Sequence, residues 1–203
     1  MEKAFDNNLP YWEKAQTIIT NGKTKETLSF IDIKKIDGTL TRVNARYRLA
    51  KSFNTISLED YSENSIEGYS SLMRVFLVYS TFESYLKLIT NESKKCKAGK
   101  ALLNTKEAKQ VSKKILKLDK NKKFYKFISS FSQGYVVNEI EKFYTKEDHN
   151  LVCLLSSIRH IFVHGSLTPH ANGMNPKTVQ KICNLLSDFF LDQIAKDFFK
   201  RIK

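Results

Sequence analysis

Apolar residues recur at helical spacing along most of the chain, and the clearest case is the stretch 65–90. One apolar stripe there includes Val75, Val78 and Phe82, and a second stripe includes Leu72. A helix that is apolar on more than one face is buried on several sides. The pattern therefore predicts a central helix around which the others pack.

The flanking segments show the same spacing with one apolar face each. Gly165 is placed to end a helix, and Asn175 is placed to cap the next one. Short connections favour antiparallel neighbours, so the predicted fold class is all-α, an antiparallel helical bundle. The additional predicted helices cover about residues 3–20, 94–118, 124–131, 136–144 and 149–163, and a long last helix begins at Pro176.

The N-terminal part of the chain, residues 1–62, is less regular. Residues 27–33 alternate between apolar and polar types, an Asp-Gly turn signal follows at 37–38, and residues 39–43 form a second alternating run. This order predicts a small β-hairpin, with an irregular arm as the alternative. We therefore divide the chain into an N-terminal helix and arm, and a helical bundle at residues 63–203.

The chain has 34 Lys and Arg residues against 21 Asp and Glu residues, which gives a formal net charge of +13. A field of that sign attracts polyanions such as nucleic acid. Residues 94–126 contain thirteen lysines and only two acidic residues, and a solvated helix face is the alternative explanation of this run. The predicted RNA-binding lysines are Lys94, Lys95, Lys97, Lys113, Lys114, Lys117, Lys122 and Lys123.

The composition also argues against several kinds of protein. Cys96, Cys153 and Cys183 are widely spaced and odd in number, which does not suit a disulfide framework. No segment is apolar over the length that spans a bilayer, and the first residues lack the apolar part of a signal peptide. There is no phosphate-binding glycine loop and no dinucleotide fingerprint. We therefore expect a soluble, cytoplasmic protein without a cofactor or a membrane partner.

Candidate chemistry lies near the end of the helix predicted at 149–163, where its apolar residues run out. Arg159 offers a cationic fork that suits a phosphate, and the side chain of His164 belongs to the type that titrates near neutral pH. The pair provides what RNA cleavage without metal requires, with the 2′-hydroxyl of the RNA as nucleophile. His164 would act as general base or acid, and Arg159 would stabilise the charge on the phosphorane oxygens. The alternative is that both cations only cap the helix C-terminus.

The segment RHIFVH at residues 159–164 resembles the RxxxxH signature of the HEPN superfamily. The resemblance covers roughly residues 65–203, because that family consists of helical bundles with the motif near the end of a late helix and a long helix after it. His160 stands where the family commonly has Asn or Asp. The resemblance implies metal-independent endoribonuclease activity, a homodimer in which two motifs line one cleft, and a role in phage defence or a toxin–antitoxin system with an antitoxin or other regulatory partner.

His160 and Glu83 are supporting candidates at this site. Glu83 falls on an apolar stripe of the central helix, so it is either a rim residue or a carboxylate that orients Arg159 or a histidine. His160 and His164 also have a spacing that can hold zinc, although the sequence lacks the Glu of an HExxH motif. The residues that could supply a third zinc ligand are His149, His170 and Glu83.

Two functions without catalysis also agree with the sequence. A HEPN-like module that only binds RNA, nucleotide or a partner protein would keep the basic surface but would not cleave RNA. A structural dimerisation protein would neither bind nor cleave it. Cleavage and binding assays therefore separate all three functions.

Overall fold

The computed structural model describes residues 7–21, 36–90 and 95–202. Within these residues the chain forms α-helices and no strand, which confirms the all-α class. None of the described helices has both the length and the apolar composition needed to cross a membrane. The helices are α1 (Trp12–Thr20), α2 (Ile36–Ser52), α3 (Glu63–Ile89), α4 (Lys95–Leu102), α5 (Thr105–Leu118), α6 (Lys123–Ser130), α7 (Tyr135–Thr145), α8 (Leu151–Val163) and α9 (Pro176–Ile202).

Helix α3 is the central helix that its apolar stripes predict. Leu72, Val75, Val78 and Phe82 are all at most 1% exposed. The helix packs mainly against α2, α8 and α9 and also contacts α4, and neighbours on several sides explain why apolar residues occupy several of its faces. The prediction of a central helix is confirmed.

Helix α2 runs antiparallel to α3. Arg46 of α2 donates a hydrogen bond to the hydroxyl of Ser84, at 2.6 Å. The backbone N–H of Ile56, which follows α2, donates to the hydroxyl of Ser70 at 3.1 Å. Positions later in α2 therefore meet positions earlier in α3, as a short connection between two helices requires.

Helix α9 runs in the same direction as α3, which differs from the antiparallel arrangement expected throughout the bundle. Gln180 donates to Glu67 at 3.2 Å near the start of both helices. The hydroxyl of Tyr85 donates to Asp197 at 2.6 Å near the end of both. Five helices lie between α3 and α9 in the chain, so the connection is long enough to return to the end of the bundle where α3 begins.

The predicted hairpin is wrong in its second half. Residues 39–43 and the turn predicted at 37–38 lie in α2, while residues 27–33 lie outside the described part of the chain. Leu40, Val43 and Tyr47 are buried at the spacing of one helix face. Residues 39–43 alternate like a strand, but the longer segment 36–52 has the period of a helix.

The helix predicted at residues 94–118 is two helices. The chain breaks after α4, and Asn104 then caps α5 by accepting hydrogen bonds from the backbone N–H groups of Lys106 and Glu107 at 3.0 and 3.2 Å. The backbone N–H of Asn104 donates to Gln193 of α9 at 2.8 Å. This contact between distant segments holds the break. The first helix is also shorter than predicted, because residues 7–11 are not helical and α1 begins at Trp12.

A buried carboxylate organises the turn between α5 and α6. Asp119 is 6% exposed and accepts hydrogen bonds from the backbone N–H groups of Phe124 and Tyr125 at 3.1 and 2.9 Å. The hydroxyl of Tyr144 in α7 donates to the same carboxylate at 2.9 Å. Lys122 provides no side-chain cap for α6, so Asp119 performs that role from outside the helix.

The loop after α8 packs against the start of α3. A Cβ atom added at Gly68 would lie 2.5 Å from Cβ of Pro169. The neighbouring His170 shares a hydrogen bond of 3.0 Å with the hydroxyl of Ser65. The absence of a side chain at Gly68 therefore lets this loop lie directly on α3.

We predict that Asp119→Ala lowers the free energy of unfolding by about 2–4 kcal/mol, because two amides and a hydroxyl lose their buried acceptor. Tyr144→Phe removes one of the three bonds and should cost about 1 kcal/mol. Asp188→Ala, at a carboxylate that is 67% exposed and paired with Arg74, is the control and should cost less than about 1 kcal/mol. Urea unfolding of the three variants measures the differences, and equal losses for Asp119→Ala and Asp188→Ala would contradict the prediction.

We also predict that Gly68→Ala destabilises the protein by about 1–3 kcal/mol, since the new methyl group overlaps Pro169. Asn64→Ala, at an exposed position of the same helix, should change the stability by less than about 0.5 kcal/mol. In a Pro169→Gly background the cost of Gly68→Ala should fall, because the overlapping atoms are gone. A cost that is the same in both backgrounds, measured by urea unfolding, would rule out the overlap as its cause.

Candidate active site

The end of α8 changes from buried to exposed within one turn. Ile161 is 2% exposed, whereas His160 and His164 are exposed. Gly165 has a φ of +77°, its N–H donates to Phe162 O at 2.9 Å, and the N–H of Ser166 donates to Ile161 O at 3.1 Å. These two bonds form a Schellman motif that ends the helix at a glycine. The predicted glycine cap is confirmed.

The structure brings His160 and His164 together. Their ring centroids are 4.4 Å apart and the rings are inclined by 63°. Residues four positions apart share one helix face, and here that face is open to solvent. Two imidazoles at an exposed helix end can accept and donate protons to a phosphodiester that binds there.

Arg159 lies on another side of the helix and faces α3. Its guanidinium carbon is 5.4 Å from the ring centroid of Tyr79 and 6.0 Å from that of Phe76. Ser156, one turn earlier in α8, donates to the hydroxyl of Tyr79 at 3.4 Å. Ring contacts of this kind orient a guanidinium without neutralising its charge.

No carboxylate in the described part of the chain forms an ion pair with Arg159. The guanidinium is half-buried, so its planar fork is held against the two rings while its charge stays available to an anion. In the sequence, Phe76 and Tyr79 lie on the second apolar stripe of the stretch 65–90, together with Leu72. That pattern does not predict their contact with Arg159, since the contact joins segments distant in the chain.

Arg159 and His164 do not share a helix face. Five residues correspond to a rotation of about 140° around a helix axis. The rings of Phe76 and Tyr79 hold Arg159 on the α3 side, while His164 lies at the exposed cap. One copy of the chain therefore presents the two motif residues on different sides of α8.

Glu83 lies in α3, one helical turn after Tyr79, and is half-buried. It is therefore on the side of α3 that Arg159 approaches, next along the helix from the rings that hold the guanidinium. This position agrees with a supporting role and equally with a carboxylate at the rim of the core.

The predicted RNA-binding lysines fall into two groups. Lys94 lies outside the described residues, and only the backbone of Lys95 and Lys97 is described, in α4. The other five are all exposed and lie on α5, on the turn that follows it and at the first residue of α6. They are Lys113, Lys114, Lys117, Lys122 and Lys123.

The lysines of α5 affect the pKa of a neighbouring histidine. Burial lowers the pKa of His149, Lys109 and Lys113 lower it further, and Asp148 opposes them. Two lysines of α5 therefore lie close enough to His149 to disfavour its protonated form. The positive field extends beyond the helix that carries it.

The zinc alternative lacks a third ligand in the described part of the chain. Among those residues, no three His, Cys, Asp or Glu side chains are grouped to hold a metal ion. His170 is bonded to Ser65, and His149 lies beside the lysines of α5. The two cysteines whose side chains are described, Cys153 and Cys183, are buried.

Known proteins provide no family assignment for this site. Comparisons of the chain with protein-family models, with curated proteins and with solved structures give no significant match. The function is therefore inferred from the chain's own geometry, namely the exposed histidines at the end of α8, Arg159 on the α3 side of the same helix, and the lysines of α5.

Proposed function

We propose that this protein is a metal-independent endoribonuclease of the HEPN type. The observation that carries the proposal is the pair of exposed imidazoles at the end of α8, His160 and His164, with ring centroids 4.4 Å apart. A helix end of this kind admits a bulky phosphodiester, whereas a buried histidine would not. Arg159, one residue before the pair, adds a cation without a carboxylate partner in the described residues.

The proposed reaction is an attack of the RNA 2′-hydroxyl on the adjacent phosphorus. His164 removes the proton of the 2′-hydroxyl as the bond from O2′ to phosphorus forms. The bond from phosphorus to O5′ breaks, and the departing oxygen takes a proton from an imidazolium, for which His160 is the nearest group. The products are a 2′,3′-cyclic phosphate and a 5′-hydroxyl. Arg159 stabilises the charge that builds on the nonbridging oxygens.

A homodimer would bring Arg159 and His164 into one cleft, although they lie on different sides of α8 within one copy. The two residues point to different sides of α8, so one cleft can use His164 of one copy with Arg159 of the other. Val163, between them, is 48% exposed, and an exposed apolar side chain beside the motif suits contact with a second copy. We extend the proposal, through the HEPN resemblance, to phage defence or toxin–antitoxin function with a regulatory partner in the cytoplasm.

The second candidate is an RNA-binding module of the same fold without catalysis. The angular separation of Arg159 and His164 favours it, because a single copy does not place the cation and the base on one substrate. The exposed lysines of α5 serve both candidates equally. Cleavage assays separate the two.

We predict that His164→Ala lowers the rate of RNA cleavage by about 10²- to 10⁴-fold, the usual contribution of general acid–base catalysis. His160→Ala should lower the rate less, because another donor, such as water, can protonate the leaving oxygen. The measurement is cleavage of total cellular RNA in EDTA with mapping of the product ends, and cyclic phosphates are expected.

The matched control is His170→Ala, at an exposed histidine that contacts Ser65 and should keep nearly the wild-type rate. Thermal unfolding checks that each variant is folded. Wild-type protein that binds RNA but leaves it intact would favour the binding module, and cleavage that disappears only with EDTA would favour a metal enzyme.

A further inference from the structure

Three surface grooves meet at the turn between α5 and α6, and Lys120 lines all three. One groove also has Lys122 and Lys146 on its walls. Another has Lys114 and Lys181. Lys117 lies between these two and lines both. We call this set the lysine junction: Lys114, Lys117, Lys120, Lys122, Lys146 and Lys181.

The lysine junction combines lysines of the stretch 94–126 with lysines that the fold brings to it from other elements. Lys114 and Lys117 belong to α5, Lys146 is the residue at the C-terminal cap of α7, and Lys181 lies in the second turn of α9. A solvated face of α5 would account for the first two. It does not account for lysines from two further elements on the walls of the same grooves.

Carboxylates do not neutralise the lysine junction. All six lysines are exposed, and none of them forms an ion pair within the described residues. Elsewhere in the protein lysines do have partners: Lys196 is 2.8 Å from Glu107, and Lys142 is 3.3 Å from Glu139. The charge of the lysine junction is therefore left available to an external anion.

The acidic residues that line these grooves are already engaged. Asp119 is turned inward and accepts hydrogen bonds from Phe124, Tyr125 and Tyr144. Asp188 is 2.8 Å from Arg74. Cations at a helical spacing of three or four residues repel one another, so Lys114 and Lys117 of α5 do not stabilise each other. A contribution to the stability of the fold does not explain why these lysines lie together, whereas a binding role does.

Apolar side chains line two of the grooves together with the lysines. Leu116 and Tyr144 line one groove, and Leu118 and Leu185 line another. The three leucines are half-buried, so part of each remains accessible. Phosphates of a nucleic acid can bind the lysines while unpaired bases contact the apolar side chains beside them. The bases of a duplex are stacked inside it and cannot make this contact, so the arrangement suits a single strand.

We propose that the lysine junction binds single-stranded RNA, with phosphates on the lysines and bases on the leucines that line the same grooves. This deepens the proposed function, on which it rests for the choice of RNA as ligand. One hydrogen bond joins this region to the segment between α8 and α9. Nζ of Lys123, beside the junction, donates to Gly173 O at 3.3 Å, and Gly173 lies in that segment.

The test compares two doubly substituted proteins in a His164→Ala background, where cleavage does not interfere. Lys120→Gln/Lys181→Gln removes two charges from the lysine junction. Lys14→Gln/Lys87→Gln removes two charges from exposed positions on α1 and α3. The probe is a labelled uridine 20-mer, and its affinity is measured over a range of salt concentrations.

For the junction variant we expect weaker binding and a salt dependence whose slope, log K against log of salt concentration, is smaller by about 1.4, since each lost contact to a single strand contributes about 0.7. The control variant should keep the slope of the parent protein. Thermal unfolding should show both variants folded. Equal slopes in the two variants would overturn the proposal.

Two further comparisons fix the ligand. The uridine 20-mer should bind more tightly than a duplex of the same length, and tighter binding of the duplex would overturn the single-strand assignment. Polyglutamate at equal charge should displace the RNA poorly, and efficient displacement would mean that the surface binds acidic polypeptides instead.

The experiments distinguish a failure of the RNA-binding site from a failure of the ribonuclease proposal. A junction variant with weakened binding supports the RNA site even if the wild-type protein cleaves nothing. Equal binding of both variants overturns the RNA site even if the wild-type protein cleaves RNA through His164.

Discussion

The burial of α3 on several sides is the constraint on which the rest of the structure depends. Leu72, Val75, Val78 and Phe82 have almost no accessible surface, and the helices that pack against α3 are α2, α4, α8 and α9. Burying side chains of this size contributes about 1.5–3 kcal/mol each, so the four together outweigh any single surface contact.

The same helix supports the candidate active site at two points. Phe76 and Tyr79 hold the guanidinium of Arg159, and Gly68 gives the loop after His164 room to lie against α3. The histidines themselves are exposed and depend on the glycine cap of α8. The site therefore combines one residue fixed by the core with two that lie on the surface, and a substrate can reach the latter without any rearrangement of the bundle.

The sequence predicted those elements whose determinants lie within one helical segment. The periods of α3 and α9, the glycine after α8 and the asparagine before α9 are local, and each corresponds to an observed element. The predicted hairpin is wrong because residues 39–43 alternate like a strand over five positions, whereas the longer segment 36–52 forms a helix. The break before α5 depends on Gln193, and the contact of Arg159 with Tyr79 joins two helices, so neither was available from local spacing.

The charged residues around α5 divide into those that stabilise the fold and those that are available for binding. Where α5 meets α9, Glu107 pairs with Lys196, so the positive charge of that lysine is neutralised locally. At the other end of α5, Asp119 is within reach of the lysines in sequence, yet its carboxylate is turned inward and accepts three hydrogen bonds from its own fold. A carboxylate used in this way fixes the turn and leaves the lysines around it unneutralised. The fold thus holds like charges together at a cost to its own stability, and a polyanionic ligand would offset that cost when it binds.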